Sequence, residues 1–455
     1  MNVISSIKQK IESLLSNTRP ELLLIVSAGL LIMLGLLMIY SASSIVALKE
    51  FDNQFHYLIA QARFIAIGLI LLIIASIIPY RTWSTPAVWV AWLITTVLLL
   101  TTFFMGLTGG GATRWVSIGG FSLQPTEFAK ITSVLILANI VAQYRQGRIA
   151  LEGLAVLTAV GVLIPMVLIF IQPDLGSIMI VLITLVVMLY LSGFGLKRII
   201  KPAIVIGIFG LLAILIEPYR RSRLISAFDP WVDPQGKGYQ VIQGFYAFST
   251  GGLTGLGLGN SHQKFFYLPE AHTDFIFAII GEELGLIGAL VTLLIYALFI
   301  YAGYKIMSNA NDTFGKMVAG GMTTLIAVQA CLNILCVIGF FPVTGKPLPF
   351  LSYGGSSLVA SMAMVGILLS VARGSTSSAQ AERTRESFEV IENRAPQRKS
   401  SDTASKVINF FGRTGQNKTK ESQRRRRREE SSLKDSSSSR RRTKSSSSSR
   451  KRPRR

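Results

Sequence analysis

The 455-residue sequence is short of cysteine, histidine and charge. Its two cysteines, Cys331 and Cys336, both fall in an apolar block. Five residues apart on a helix, they point about 140° from each other, which excludes a disulfide between them and a CxxC redox centre. The three histidines, His56, His262 and His272, are too few and too scattered for a metal cluster. No P-loop is present. The glycines of GGLTGLGLGN (Gly251–Asn260) do not spell GxGxxG after a strand, so they read as a flexible loop. Only 15% of residues are charged, against about 25% in a soluble globular chain.

What the sequence has is apolar length. Half its residues are hydrophobic, mean hydropathy is +0.48, and the apolar residues come in long blocks. That composition predicts an all-α integral membrane protein. Ten runs are long enough to span, at roughly 21–42, 57–79, 84–105, 125–143, 151–171, 175–192, 199–217, 274–303, 316–340 and 349–372. The first is preceded by Lys8, Lys10 and Arg19, is too long for a signal h-region and has no small-residue cleavage site after it. It reads as a retained helix following a cytoplasmic segment, 1–20. Connections after even-numbered runs carry Arg81, Arg145, Arg148, Lys197, Arg198, Lys201, Lys305 and Lys316, whereas short connections after odd-numbered runs carry few cations. The positive-inside rule then places both termini in the cytoplasm and the long segment 218–273 outside. That segment is rich in Arg, Trp, Tyr and Pro, and is expected to fold against the outer helix ends.

The net charge of +22 is uneven. Residues 374–455 hold 24 Lys and Arg against 9 Asp and Glu, so +15 lies there. Serine runs, Arg424–Arg428 and the closing KRPRR cannot build a core, and the tail is expected to be disordered. Attraction to anionic lipid is the reading preferred over nucleic-acid binding.

Polar groups concentrate at four places at or inside the outer ends of the runs. In GGGATRWVSIGGFSLQPTEFAK (Gly109–Lys130), Pro125 suits a helix start, and Glu127 and Lys130 share a face three residues apart. They are either an internal ion pair or a substrate site. IQPDLGS (Ile171–Ser177) is a tight turn in which Asp174 reads as a helix cap. YLPEAHTDFIFAIIGEELG (Tyr267–Gly285) sets Asp274 before an apolar run and Glu282 and Glu283 within it, with Gly281, Gly285 and Gly288 forming a close-packing stripe. FPVTGKPLPFLSYGGSS (Phe341–Ser357) breaks a hydrophobic region, which is tolerated only if buried or lining a cavity. Carboxylates Asp274, Glu127, Asp174 and Glu270 thus face cations Lys130, Arg114, Arg220, Arg221, Arg223, Lys264 and Lys346, with His272 and Ser356 in the same motifs. A carboxylate base among cations suits an anionic, lipid-linked phosphate or diphosphate, and would equally suit a transporter.

At these residues the sequence resembles the SEDS (shape, elongation, division and sporulation) family of bacterial peptidoglycan polymerases. The likeness covers about 20–373 and rests on MIYSAS (Met38–Ser43), TRWVSIGGFSLQPTEFAK, IQPDLGS, DPWVDPQGKGYQ, GLGNSHQKFFYLPEAHTDFIFAIIGEELG and GKPLPFLSYGGSS. GLGNS-x-QK before YLPEAHTDF is closer to the division and sporulation branch than to the rod-elongation branch. The chain departs from the family at Gly110-Gly111-Ala112-Thr113, often Asn-Gly, and at Lys346, often apolar.

The resemblance implies a ten-helix membrane domain, 21–373, that joins lipid II units by glycosyl transfer beside a class B penicillin-binding protein and other division proteins at the septum. The family's essential Asp falls on Asp274, and its Glu and Lys on Glu127 and Lys130. The donor would be a glycan on undecaprenyl diphosphate and the acceptor the lipid II 4-hydroxyl. Asp274 would act as general base of one inverting displacement. The diphosphate would need positive charge, from the loop arginines, Lys130, Lys264 or a divalent cation, Mg2+ or Mn2+. Glu282 and Glu283 are expected to serve packing and polar networks. The rival readings are a lipid II flippase and a non-catalytic division scaffold.

Overall fold

A computed structural model describes residues 19–84, 86–109, 112–118, 121–216, 221, 226 and 228–394. The chain divides into two units, Met1–Ala379 and Gln380–Arg455, and the first holds the helix bundle. Helices occupy all ten expected places. They begin with α1 (Pro20–Phe51), α2 (His56–Ile77), α3 (Ala87–Met105) and α4 (Pro125–Arg145). Next come α5 (Leu151–Ile171, with a π turn at Ala159–Leu163), α6 (Leu175–Leu191) and α7 (Leu196–Ile216). The long loop contributes α8 (Tyr239–Gly251). After it stand α9 (Ile276–Glu283), α10 (Gly285–Asn309), α11 (Thr313–Val337) and α12 (Gly355–Arg394). Among the described residues, eight helices are long and apolar enough to cross a membrane, and α6 is a shorter apolar helix.

Leucine, isoleucine and valine point outward from α1, α2, α3 and α10, as a lipid solvent permits. The interior is the more polar part. Helix α4 is buried on nearly every face, and it packs against α3, α6 and α11. Helix α10 packs on α1 and α11. Pro125 stands in the first turn of α4, where a missing N–H costs nothing, so Glu127 and Lys130 enter the bundle at its end.

Four features differ from the sequence expectation. The eighth run is two helices, not one. The chain breaks at Leu284; Gly285 is left-handed at φ 69°, and a Cβ there would also strike the backbone of Leu253 and Gly255, so both the turn and the close approach call for glycine. Of the glycine stripe, Gly281 packs against Phe248 of α8, Gly285 against the returning loop and Gly288 against the Leu284 side chain. Second, the long loop carries α8, whose Val241, Ile242, Gly244 and Ala247 are buried and which packs against α9. The glycine segment, expected to be flexible, is tied down. Gly252, Gly255, Gly257 and Gly259 take positive φ, and the amides of Leu256 and Gly257 donate to the carbonyls of Glu282 and Glu283, each at 3.0 Å.

Third, a small antiparallel sheet stands between α3 and α4, with strands in the order β1 (Gly106–Gly109), β2 (Ala112–Ile118) and β3 (Phe121–Leu123). Val116 pairs with both Gly106 and Leu123, which fixes the register. Fourth, α12 is helical to Arg394, past the tail boundary expected at 374. The stretch AQAERTRESFE is rich in strong helix formers. Residues 395–455, with Arg424–Arg428, and residues 1–18 lie outside the described residues.

Candidate functional site

The starts of α4, α6 and α9 and the segment before α12 meet at one end of the bundle. Lys130 Nζ is 2.9 Å from Glu127 Oε1, and both side chains are buried. The same Nζ donates to Gln329 Oε1 of α11 at 2.6 Å. A second buried pair joins Lys346 Nζ to Asp174 Oδ2 at 2.7 Å. Asp174 is also the cap of α6, accepting from the Ser177 amide at 3.1 Å, as the turn predicted. Burial alone would raise the Asp174 carboxyl. Lys346, then Arg114, with the hydrogen bonds of Lys346 and Ser177, outweigh burial and hold it below the usual carboxylate range. Arg114 of β2 donates to the carbonyls of Gln172 and Pro173 and so grips the same turn.

Asp274 sits at the same end. It does not cap α9: Phe275 is the cap residue, with no side-chain cap bond. The Thr273 hydroxyl lies 3.3 Å from Asp274 Oδ1. Gly345, left-handed at φ 64°, presents bare backbone to it. A Cβ built there would meet only Asp274 Oδ2, at 4.0 Å. The Gly345 backbone thus stands beside the buried Asp274 carboxyl. Asn333 of α11 holds this arrangement from behind. Its Nδ2 donates to the carbonyls of Asp274 and Lys346, each at 2.8 Å.

The remaining expected site residues are distributed more widely. Ser356 staples β3 to α12: its hydroxyl donates to the Ser122 carbonyl at 3.1 Å and accepts from the Gln124 amide at 2.9 Å. His272 lies under Tyr57 and Tyr353, with ring centroids 4.5 and 5.7 Å away. Burial lowers its pKa, with Glu270 and Glu50 opposing. Lys264 is not paired with this group. It lies 3.5 Å from Glu283 Oε1 and donates to the Gly259 carbonyl. Arg221 is exposed, and Arg220 and Arg223 lie outside the described residues.

Glu282 and Glu283 form a separate, fully buried network. Glu282 accepts from the His262 amide at 2.9 Å and from the Ser261 hydroxyl. Glu283 accepts from the Ser41 hydroxyl at 2.6 and 2.8 Å. They anchor the loop, in keeping with a packing role.

Among the described residues, no three or more His, Cys, Asp or Glu side chains gather as a metal cage. Glu127 and Asp174 already face lysines. Sequence reasoning passed over Gln329 and Asn333. Their signal was two amides one turn apart inside an apolar run, costly in hydrocarbon unless bonded.

Comparison with known proteins gives the family and the fold. The model of the cell cycle protein family of FtsW, RodA and SpoVE matches residues 21–377. The chain belongs to this family. Among its relatives, the stage V sporulation protein E of Bacillus subtilis (strain 168) is 40% identical over 362 residues, spanning 78% of this chain and 98% of that protein. The probable peptidoglycan glycosyltransferase FtsW of Trichlorobacter lovleyi is 38% identical over 360 residues, 78% and 93% of the two chains. A solved structure described as the structural coordination of polymerization and crosslinking by a peptidoglycan synthase complex aligns with TM-score 0.63 at 26% identity. It covers 77% of this chain and 97% of that one. The rod shape determining protein RodA of Thermus thermophilus aligns with TM-score 0.57 at 24% identity, over 77% and 95%, and shares the fold. The chain shares the family's multi-pass membrane architecture.

Proposed function

We propose that the chain is a peptidoglycan glycosyltransferase that joins lipid II units into β-1,4 glycan at the outer face of the bacterial cytoplasmic membrane, with Asp274 as general base. The observation that carries the proposal is the Asp274 carboxyl, which does not cap α9 and stands beside the left-handed Gly345 backbone, at the bundle end that also holds Lys130, Lys346 and Arg114. Relatives named as probable peptidoglycan glycosyltransferases support the reading.

In the reaction, the acceptor 4-hydroxyl of lipid II approaches over Gly345. Asp274 takes its proton as the oxygen forms the new bond to the donor's anomeric carbon. The bond from that carbon to the diphosphate oxygen breaks, and undecaprenyl diphosphate leaves as an anion. One displacement inverts the α-linked donor into a β bond. The leaving group is already stable, so it needs positive charge rather than a proton. Arg114 supplies that charge at the bundle end, where Lys130 and Lys346 are already paired with Glu127 and Asp174. Both termini are then cytoplasmic, the site of action is the division septum, and a class B penicillin-binding protein crosslinks the product. Other division proteins and, for the basic tail, anionic lipids complete the partners.

The test is glycan synthesis from lipid II by the chain purified with its transpeptidase partner. Ladders are expected from the intact protein, and Asp274→Asn should lower the rate by about 10²–10⁴-fold. Ladders undiminished by that substitution would remove Asp274 as base. No ladders, with lipid II still crossing vesicles, would point to a flippase. Loss of both activities with partner recruitment intact would point to a scaffold.

A further inference from the structure

Helix α11 crosses the bundle with a narrow polar stripe. Gln329 and Asn333 stand one turn apart on it, both buried to within 2%. Their amides hold consecutive carbonyls of the broken segment before α12: Gln329 Nε2 donates to Pro347 O at 3.0 Å, and Asn333 Nδ2 to Lys346 O at 2.8 Å. Each amide also reaches one expected reaction group. Gln329 takes the Lys130 ammonium on its oxygen at 2.6 Å. Asn333 shares its nitrogen with the Asp274 carbonyl at 2.8 Å. Two carbonyl acceptors on one atom require a donor there, which fixes the amide's orientation.

We infer that Asn333 is a positioning residue for the proposed glycosyl transfer, setting the Asp274 carboxyl against the Lys346 segment; the inference rests on that functional reading. One NH2 group spans two chain segments 72 residues apart in sequence, 274 and 346. The Gly345 backbone beside the carboxyl and the Lys346 side chain on Asp174 both belong to the segment that Asn333 grips. Moving that segment moves the base relative to the cations and to the Gly345 backbone beside it.

The remainder of Asn333 argues against simple packing. Its Oδ1 is buried and has no hydrogen-bond partner among the described residues. A buried amide oxygen left unsatisfied is a cost to folding, and the Nδ2 group offsets it by satisfying two carbonyls that an apolar residue would leave unpaired. The used half of the amide joins the Asp274 backbone to the Lys346 segment. Asn333 touches no reacting atom, so its effect is on geometry. An error of about 1 Å in the placement of a reacting group costs about 100-fold in rate.

The experiment measures glycan polymerisation from lipid II by the intact chain with its partner, for the natural protein and for Asn333→Ala, Asn333→Ser and Asp274→Asn. We expect Asn333→Ala to lower kcat by about 100-fold while KM for lipid II stays within twofold. The acid limb of the kcat–pH profile should shift, because the base has changed surroundings. Asn333→Ser, which can still donate to one carbonyl, should recover part of kcat. Unchanged kcat in Asn333→Ala, with the natural protein active and Asp274→Asn dead, overturns the inference and leaves the functional reading standing. A kcat loss with an unshifted pH profile and no recovery by serine, matched by a fall in melting temperature, also overturns it in favour of a structural role. An inactive natural protein removes the functional reading itself, and the inference with it.

Discussion

Lys346 Nζ meets Asp174 Oδ2 at 2.7 Å across 172 residues of chain, with both side chains within 2% of complete burial. Such a pair is held by mutual compensation. Taking either charge away leaves the other in a medium that cannot solvate it, at about 3–5 kcal/mol. Lys346→Met alone should therefore lower the melting temperature sharply. Lys346→Met with Asp174→Asn should regain most of the loss, because no buried charge is left. Thermal unfolding in detergent of the singles and the double measures this. Equal losses in the single and the double would mean that the pair contributes packing alone. The Asp174 carboxyl is depressed in the folded state, so its stabilisation is present above its ordinary pKa of 3.8 and fades as pH falls through the lower folded value. The pair should be insensitive to pH between about 5 and 8.

The network under the loop makes a different prediction. Glu282 gathers the Ser261 hydroxyl and the amides of His262 and Gln263, while the carbonyls of Glu282 and Glu283 hold Leu256 and Gly257. Glu282→Ala removes the first set and leaves the second. The donors it abandons cost about 1–3 kcal/mol each when left unpaired. Hydrogen exchange should rise across residues 261–263 while α4, enclosed on nearly every face, stays protected. Uniform deprotection of both would mean that Glu282 holds the whole bundle.

Much of this was legible in the sequence, and the failures have a common cause. Hydrophobic length placed ten helices, because a lipid solvent demands apolar exteriors of fixed length. The IQPDLGS turn gave Asp174 as a cap because capping is local chemistry. The break at Leu284 was not legible, since the loop backbone that excludes a Cβ at Gly285 arrives from Leu253 and Gly255. Nor was the partner of Lys264. Its sequence neighbours suggested a cleft cation, and the fold gave it to Glu283. Gln329 and Asn333 were passed over because charge was the signal followed, and neutral amides inside a span carry the same message more quietly. Pairings between distant segments are what one-dimensional pattern cannot supply.

His272 supplies a pH dependence. It is a base whose folded pKa is lowered by burial from the ordinary 6.5. The unfolded chain therefore takes up a proton at higher pH than the folded one. Stability should be full above about pH 6.5 and decline as pH falls from there to the folded value, then level off. His272→Phe should flatten that segment of the melting curve, since a ring that cannot protonate can still fill the space against Tyr57 and Tyr353. Melting temperatures between about pH 5 and 8 decide the matter. A decline that persists undiminished in His272→Phe would assign it to another group.

Gly345 gives the most selective test of where the acceptor sugar arrives. Two glycines, Gly345 at φ 64° and Gly259 at φ 82°, both take the left-handed conformation. Adding a Cβ to either costs about 1–2 kcal/mol from backbone strain alone. Neither site is crowded: nothing lies within 4 Å of a Cβ at Gly259, and only Asp274 Oδ2, at 4.0 Å, meets one at Gly345. The two alanine variants should therefore lose similar stability. Their activities should separate. A methyl group on Gly345 stands on the ground beside the carboxyl, where the acceptor hydroxyl must come within hydrogen-bond reach to lose its proton. Gly345→Ala should raise KM for lipid II and lower kcat, while Gly259→Ala, remote from Asp274 in the anchored loop, should polymerise at close to the natural rate. Matched melting temperatures with divergent polymerisation would place the acceptor over Gly345. Matched polymerisation would move it to another side of Asp274.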